Sequence, residues 1–258
     1  MLSTYQTIMM RVIHISDLTF LTGHRQEIIN LLINRSRVSP ATSFVGCTLN
    51  ELAQINDDSK TRKWFSDADY CTTDGFPLTI YAWLLTKITL ERAYGPFIFA
   101  DATKRAYQAN LKQVYLCPSL SISHALKTYL SQKHILAKSS VTLVVPQANE
   151  SLGALVKKVA SLHPNIVWVS VGTPRQAQLA YLLKKTLRFG TIMCLGAAFE
   201  LITGQKSMAP RWMQNIGLEW LYRLLREPKR LAGRYLISIP KFIVLTAQKK
   251  LLGKHIRR

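Results

Sequence analysis

The sequence predicts an α/β fold: a Rossmann-like, mostly parallel sheet with helices on both faces, followed by a basic helical appendage at the C-terminal end. Short runs rich in β-branched residues alternate with segments of helical periodicity, and this alternation is typical of parallel strands joined through helices. The chain has 258 residues, of which 48% are hydrophobic and 19% charged, so it is long and apolar enough to bury one sizeable core.

Five strands and five helices follow from this pattern. The predicted strands are 43–48, 113–117, 141–145, 166–171 and 191–196. The predicted helices are 78–90, 102–111, 121–130, 152–162 and 176–187. Because ligands of such sheets bind beyond the carboxyl ends of the strands, we expect functional residues in the segments that follow each strand.

A change in composition near residue 205 predicts a boundary between a core, residues 1–205, and an appendage, residues 206–258. The appendage carries thirteen lysines and arginines against two glutamates, which is +11 of the net charge of +20. Pro210 favours a helix start, and Pro228 and Pro240 divide the segment into two or three short helices. The first helix is predicted to have a wide apolar face, formed by Trp212, Met213, Ile216, Trp220, Leu221 and Leu224.

The positive charge predicts an anionic partner, and composition leaves nucleic acid, anionic lipid and phosphorylated ligands open. Residues 241–258 combine aliphatic side chains with a dense basic cluster, as helices at a membrane surface do. The alternative is a helical cap on the core with a solvated basic face. We expect no secretory signal, because the first residues lack a charged start followed by an apolar stretch and a small-residue cleavage site. We expect no spanning helix, because no uncharged apolar run reaches roughly 18 residues.

The four cysteines are widely spaced in or near apolar runs, which predicts buried free thiols in a reducing cytosol. They are Cys47, Cys71, Cys117 and Cys194. The six histidines show no metal-ligand spacing with one another or with a cysteine. The chain also contains no GxGxxG, phosphate-loop lysine or G-x-S-x-G motif, so nucleotide redox, ATPase and serine-hydrolase functions lose most of their support.

One candidate phosphate site follows the predicted strand 166–171. Gly172, Thr173 and Pro174 stand before a helix, with Thr173 predicted as its N-cap and Pro174 as its first residue. The free backbone N–H groups of such a helix start attract phosphate, but many turns in α/β folds have the same pattern and bind none. Spacing alone leaves both interpretations open.

Three earlier segments also have a structural and a functional interpretation. Asp74 with Gly75 is a turn dipeptide, or Asp74 is a general base that takes a proton from an attacking hydroxyl. Thr48 and Asn50, at the end of the first predicted strand, either cap the next helix or hold a sugar. Residues 67–69 match the D-x-D pattern that holds Mn²⁺ or Mg²⁺ on a diphosphate, although the polar helical stretch before them favours a solvated helix end.

The C-terminal run APRWMQNIGLEWLYRLLREPKRLAGRYL, residues 209–236, resembles the end of the WecG/TagA/CpsF proteins, glycosyltransferase family 26. That family reads close to R-A-P-x-W-M-Q-x-x-G-L-E-W-L-Y-R-L-x-x-E-P-x-R. Shorter matches precede it in the family's order, so the resemblance covers about residues 40–240. They are LGAAFELITGQ at 195–205, VGTPRQ at 171–176, ERAYGP at 91–96, TTDGFPL at 72–78 and TLN at 48–50.

The resemblance implies an inverting, metal-independent glycosyltransferase that needs no cofactor. It would move ManNAc, its uronic acid or glucose from a UDP donor to a polyprenyl-diphosphate-linked saccharide in cell-surface polysaccharide synthesis. By position, the family's catalytic base falls on Asp74. Thr48, Asn50 and Arg92 would line the same pocket, and Gln176 would contact the donor.

The family's appendage also places arginines over the active site, where guanidinium groups stabilise the diphosphate in place of a metal ion. Arg223 and Arg230 match this pattern, and Gly172 and Thr173 are the other predicted diphosphate contacts. The family's third arginine stands three residues after Arg230. Here Arg234 stands four residues after it, and a slip of one residue rotates a side chain by about 100° around a helix.

Departures from the family pattern motivate an alternative function, that of an inactive family member serving as a scaffold in a polysaccharide assembly complex. Glu200 stands where the family has aspartate, Phe97 lies in the run that replaces an expected aspartate, and Gly233 replaces an arginine.

A second alternative, a basic nucleic-acid-binding module, is motivated by the charge and by Trp212 and Trp220 among arginines. Because those aromatics have the spacing of residues buried on one helix face, and not that of an exposed strand, we expect no nucleic-acid partner.

The expected location is the cytoplasm, peripheral on the inner face of the cell membrane. The expected partners are the UDP-sugar donor, the polyprenyl-diphosphate-linked acceptor and the anionic membrane surface. An apolar helix face in the appendage would also suit a homo-oligomer.

Overall fold

The computed structural model describes residues 12–147 and 152–233, together with residues 236, 239, 240, 243 and 244. Within these residues the chain forms one eight-stranded, mostly parallel sheet with helices on both faces, which confirms the predicted Rossmann-like α/β class. The strands are β1 (Val12–Ile15), β2 (Leu18–Leu21), β3 (Thr42–Cys47), β4 (Tyr70–Thr73), β5 (Gln113–Cys117), β6 (Val141–Val144), β7 (Ile166–Val169) and β8 (Thr191–Cys194).

The helices of the core begin soon after most of the strands and connect them. They are α1 (Arg25–Arg35), α2 (Leu49–Asp57), α3 (Ser59–Ser66), α4 (Phe76–Thr86), α5 (Gly95–Gln108), α6 (Leu120–Gln132), α7 (Leu152–Ser161), α8 (Arg175–Thr186) and α9 (Ala198–Ile202). The described helices of the appendage are α10 (Arg211–Asn215), α11 (Glu219–Arg226) and α12 (Pro228–Gly233).

The strand order across the sheet is β1-β2-β4-β3-β8-β7-β5-β6. β1 and β2 form an antiparallel hairpin at one edge, and the other neighbouring pairs are parallel. In the middle, β3 pairs with β4 on one side and with β8 on the other. Cys47, the last residue of β3, is the register partner of Thr73, the last residue of β4. The segments that begin at residues 48 and 74 therefore start side by side.

Two apolar layers cover the sheet because successive residues of a buried strand point to opposite faces. On β7, Val167 and Val169 pack into the layer that contains α7 and α8, whereas Trp168 packs into the layer that contains α5 and α6. The Trp168 indole N–H donates to the side-chain oxygen of Gln113 at 2.9 Å, so this buried donor is satisfied. The four cysteines are buried free thiols, as predicted.

The five predicted strands and five predicted helices are all present; β5 has the predicted ends, and the ends of the others are shifted. α4 ends at Thr86 and not at residue 90, because Lys87 adopts the left-handed conformation with φ 60°. α5 begins at Gly95 and not at residue 102, because Pro96 is compatible with the first turn of a helix. The hairpin β1–β2, the strand β4 and the helices α1 and α9 were not predicted.

The predicted first helix of the appendage is wrong in one respect, since it consists of two helices, α10 and α11. Gly217, with φ +77°, lies between them. The six apolar residues therefore do not share one buried face, and Trp212 is 61% and Ile216 56% exposed. Among the helices that the structure describes, none combines the length and apolarity needed to cross a bilayer.

Candidate active site

A pocket of about 500 Å³ lies beyond the carboxyl ends of β3 and β4. The segments after these strands form one wall, and the appendage forms the other. Five of the predicted site residues line this pocket: Thr48, Asn50, Asp74, Arg92 and Arg223. The other lining residues are Leu49, Gly75, Phe76, Pro77, Gly217, Glu219, Trp220 and Ile239.

Asp74 occupies the first position after β4. Its backbone N–H donates to the carbonyl oxygen of Cys47 at 2.8 Å, which extends the β3–β4 pairing by one residue and fixes the backbone at the pocket. Gly75 then turns the chain into α4 with φ +105°, a conformation that residues with a side chain rarely adopt. Asp74 and Gly75 are thus both a turn and part of the pocket wall.

Burial raises the pKa of Asp74 above its usual value. The positive charges of Arg223 and Arg92 lower the pKa, the negative charges of Glu219 and Glu51 raise it, and the net shift is upward. A carboxylate whose pKa is raised holds an incoming proton more strongly than an exposed aspartate does. The environment of Asp74 therefore suits a general base.

Thr48 and Asn50 differ in their contacts at the start of α2. Thr48 caps α2, because its hydroxyl accepts from the Asn50 backbone N–H at 3.2 Å while its own N–H donates to the Glu51 carboxylate at 2.8 Å. Asn50 is buried, and its Oδ1 has no hydrogen-bond partner within the described part of the chain. An unpaired buried acceptor costs about 1–3 kcal/mol, and Oδ1 is thus an acceptor in the pocket wall that no described residue satisfies.

Glu219 of α11 holds the two arginines of the pocket together. Arg92 Nη2 donates to Glu219 Oε2 in a short contact, and Arg223 Nη2 lies 2.5 Å from Glu219 Oε1. The Arg92 guanidinium also stacks over the Tyr94 ring, with 4.3 Å between Cζ and the ring centroid. Because Arg92 belongs to the core and Glu219 to the appendage, this ion cluster fastens the two walls of the pocket to each other.

A close contact between Gly217 and Phe76 joins the appendage to α4. A Cβ atom built on Gly217 would lie 2.3 Å from Cδ1 and 2.4 Å from Cγ of the Phe76 ring. The φ of +77° at Gly217 also favours glycine. The appendage backbone therefore rests directly on the first side chain of α4.

A second cavity, of about 570 Å³, lies between α9 and α11 and is rich in basic residues. Arg223 lines this cavity as well as the Asp74 pocket, so its side chain stands between the two. Lys206 and Arg226 also line it. Glu200, which departs from the family's aspartate, pairs with Lys206 at 3.1 Å.

Gly172, Thr173 and Gln176 do not line the Asp74 pocket. Gln176 is buried, its Oε1 accepts from the Gly196 N–H at 2.8 Å, and its Nε2 donates to the Thr173 hydroxyl at 3.1 Å. Gln176 thus joins the turn after β7 to the turn after β8. The prediction that Thr173 is the N-cap of α8 is wrong by one residue, because its hydroxyl serves this contact and Pro174 takes the N-cap position.

Asp67 and Asp69 precede β4 and so lie at the amino ends of the strands, whereas Asp74 lies at the carboxyl ends. Asp67 follows the last residue of α3, as the prediction of a helix end requires. Asp69 is more than a solvated helix end, because it accepts from the Ser43 N–H at 2.8 Å and pairs with Lys184 Nζ at 3.1 Å. This carboxylate secures the start of β4.

Two predicted diphosphate contacts lie outside the described residues, namely Arg234 and the side chain of Arg230 in α12. The same holds for the predicted interfacial stretch 241–258, apart from residues 243 and 244. The sequence pattern did not identify Glu219 or Phe76 as pocket residues. Glu219 and Arg223 are spaced i, i+4, as neighbours on one helix face are, and no local signal linked Glu219 to a core arginine 127 residues away.

The sequence is similar to a known protein family and to single known proteins. The model of the glycosyl transferase WecG/TagA/CpsF family matches residues 13–256. The N-acetylglucosaminyldiphosphoundecaprenol N-acetyl-beta-D-mannosaminyltransferase of Bacillus subtilis (strain 168) is 32% identical over 96 residues, which are 37% of this chain and 36% of that protein. The enzyme of the same name from Bacillus spizizenii is 26% identical over 189 residues, which are 69% of this chain and 68% of that protein. Because the family match spans nearly the whole sequence, the chain belongs to the glycosyl transferase WecG/TagA/CpsF family.

Proposed function

We propose that this protein is an inverting glycosyltransferase that transfers a ManNAc-type sugar from a UDP donor to N-acetylglucosamine carried on a polyprenyl diphosphate. The family and the names of the two Bacillus relatives support the reaction class and the acceptor. The observation that carries the proposal is a carboxylate of raised pKa, Asp74, that shares one pocket with Arg92 and Arg223.

In the proposed reaction Asp74 accepts the proton of an acceptor hydroxyl while the hydroxyl oxygen attacks the anomeric carbon of the donor sugar. The new C–O bond forms on the face opposite UDP, and the bond to UDP breaks with its electron pair on the diphosphate. Asn50 Oδ1 accepts from a sugar hydroxyl and orients it beside the Asp74 carboxylate. The product carries the inverted configuration.

Arg92 and Arg223 stabilise the charge that develops on the leaving diphosphate, because guanidinium groups in a buried pocket interact strongly with phosphate oxygens. Glu219 is their counter-ion before the donor binds. No metal ion is required in this scheme. The further proposed donor contacts are Gly172, Thr173, Gln176, Arg230 and Arg234.

The proposed location is the cytoplasm, peripheral on the inner face of the cell membrane. The appendage, residues 206–258, would close over UDP and attract anionic headgroups with its excess of basic residues. Closure excludes water, which strengthens the interaction of the arginines with the diphosphate.

The direct test is a screen of UDP-ManNAc, UDP-ManNAcA and UDP-glucose against a synthetic lipid-diphosphate GlcNAc acceptor, with and without EDTA. Transfer from one donor under both conditions is the expected result. Transfer that vanishes with EDTA would assign the charge stabilisation to a metal ion. Titration calorimetry with UDP identifies a scaffold, since a chain without a donor site shows no heat of binding.

Asp74→Asn tests the catalytic base. The variant is expected to bind UDP as the wild type does and to lose about 10²–10⁴-fold in turnover, because an amide cannot accept the proton. Turnover and UDP affinity are measured on the same preparation. Near-full turnover would refute the assignment of Asp74.

A further inference from the structure

Helix α4 carries an exposed apolar stripe that begins at the rim of the Asp74 pocket. Phe76, Ile80, Trp83 and Leu84 are 40–49% exposed. Their spacing of three and four residues places them on one face of the helix. The opposite face is buried in the core, so the helix is already held without the stripe.

The stripe continues onto the appendage. Phe76 and Pro77 line the pocket together with Ile239 of the appendage, and the Phe76 ring contacts Gly217. Ile216, the neighbour of Gly217, is also exposed. Exposed apolar side chains thus lie on both walls of the pocket entrance, and contiguous apolar surface of this kind marks an interaction site.

The composition of the stripe suits the boundary between lipid headgroups and acyl chains. Residues 75–90 contain one charged side chain, Lys87, and no carboxylate. Lys87 Nζ lies 4.4 Å from the centroid of the Trp83 ring, and tryptophan and lysine are the side chains that anchor helices at headgroup depth. With 11 residues, α4 is about 16 Å long and can lie in the plane of a surface but cannot cross it.

The net charge of the protein favours a bilayer over a second copy of the chain as the binding partner of the stripe. Each molecule carries a net charge of +20, so two copies brought together repel each other. An anionic lipid surface attracts the same charge. The proposed function adds a reason, because an acceptor sugar on a lipid diphosphate lies at headgroup depth and the pocket must reach it there.

We propose that α4 is a membrane-contact helix of the core, whose apolar stripe enters the headgroup region of an anionic bilayer and sets the depth of the Asp74 pocket. The proposal rests on the proposed function for the identity of the acceptor, while the contact itself needs no substrate. Insertion of the stripe can be distinguished from attraction by the basic residues of the appendage, because salt weakens the attraction but not the apolar insertion.

The test compares the full-length wild type with Ile80→Asp/Leu84→Asp and with a control that gains the same two charges, Val38→Asp/Leu136→Asp. Both control side chains are 38% exposed and lie in the segments before β3 and β6, at the amino ends of the strands, whereas α4 follows the carboxyl end of β4. Binding to vesicles of phosphatidylglycerol and phosphatidylcholine is measured by sedimentation at 0.1 and about 0.5 M NaCl. At the higher salt we expect the α4 variant to bind at least 10-fold more weakly than the control.

Equal vesicle binding by the α4 variant and the control overturns the proposal. Light scattering without vesicles measures the mass of each variant. If only the α4 variant changes in mass while its vesicle binding stays unchanged, the stripe serves self-association, and this result also overturns the proposal. If the α4 variant does not fold, Trp83→Phe replaces it. Lipids brominated on the acyl chains are then expected to quench wild-type tryptophan emission more than that of Trp83→Phe, and equal quenching overturns the proposal.

The proposed function is tested separately, by measuring sugar transfer to a short-chain, water-soluble acceptor. We expect the α4 variant to retain this activity, because Ile80 and Leu84 do not line the pocket. A protein that binds vesicles through α4 but transfers no sugar would refute the proposed function and leave the membrane contact standing.

Discussion

Replacing Gly217 with alanine is expected to lift the appendage off α4. The left-handed conformation costs a residue with a Cβ atom about 1–2 kcal/mol. The new methyl group would also lie 2.3 Å from Cδ1 of the Phe76 ring, so that either the ring or the appendage must move. Crowding of this kind costs about 1–3 kcal/mol, and we expect the contact to open and Arg223 to leave the pocket with α11.

Gly204→Ala is the matched control. Gly204 has φ +74°, close to that of Gly217, but its Cβ would meet no heavy atom within 4 Å. It therefore shares the backbone cost without the crowding. We expect kcat/KM for the UDP-sugar to fall about 5–150-fold further in Gly217→Ala than in Gly204→Ala, which corresponds to the 1–3 kcal/mol of crowding.

The double variant Gly217→Ala/Phe76→Ala tests whether the ring is the cause. Removing the ring makes room for the methyl group, so part of the lost kcat/KM should return relative to Phe76→Ala alone. Equal losses in Gly217→Ala and Gly204→Ala, or no coupling between Gly217 and Phe76, would refute the reasoning that this contact holds the appendage in place.

Two further predictions concern charge. Because the base must be deprotonated, kcat/KM falls as the pH drops through the pKa of Asp74. Arg223→Gln removes a charge that lowers this pKa and should move the acid limb of the pH profile to higher pH, whereas Glu219→Gln should move it to lower pH; shifts in the same direction would contradict the ion cluster. Asp69→Asn should lower stability by about 1–2 kcal/mol, seen as a lower Tm, because Lys184 loses the nearer of its two carboxylate partners and keeps its contacts with Asp67. Its turnover should stay unchanged with and without EDTA, and lost turnover at an unchanged Tm would instead indicate a metal site.

The sequence predicted the sheet and its helices well where each element has a strong pattern of its own. β7 and the last four residues of β5 are continuous apolar runs, and such runs are typical of buried parallel strands. In β1 and β2 a polar residue, His14 or Thr19, interrupts the short apolar run, and the two strands pair with each other in an antiparallel hairpin that the alternation of strands and helices did not require.

The candidate site was predictable where the family's motifs fix single positions. Asp74, Asn50 and Arg92 were identified in this way and line one pocket. Glu219 and Phe76 were not, because their importance comes from contacts with partners far away in the sequence. Burial of Glu219 between two arginines depends on how the appendage folds back, and helical spacing contains no information on that.

The ion cluster offers a reason why arginines can lie over a carboxylate base without weakening it. Two guanidinium groups alone would lower the pKa of Asp74 and reduce its affinity for a proton. Glu219 accepts from both arginines and raises that pKa. In the proposed reaction, the diphosphate of UDP supplies the negative charge that Glu219 supplies in the free protein. We infer that Asp74 stays basic in both states, while Arg92 and Arg223 become available to the leaving group only once the donor is present.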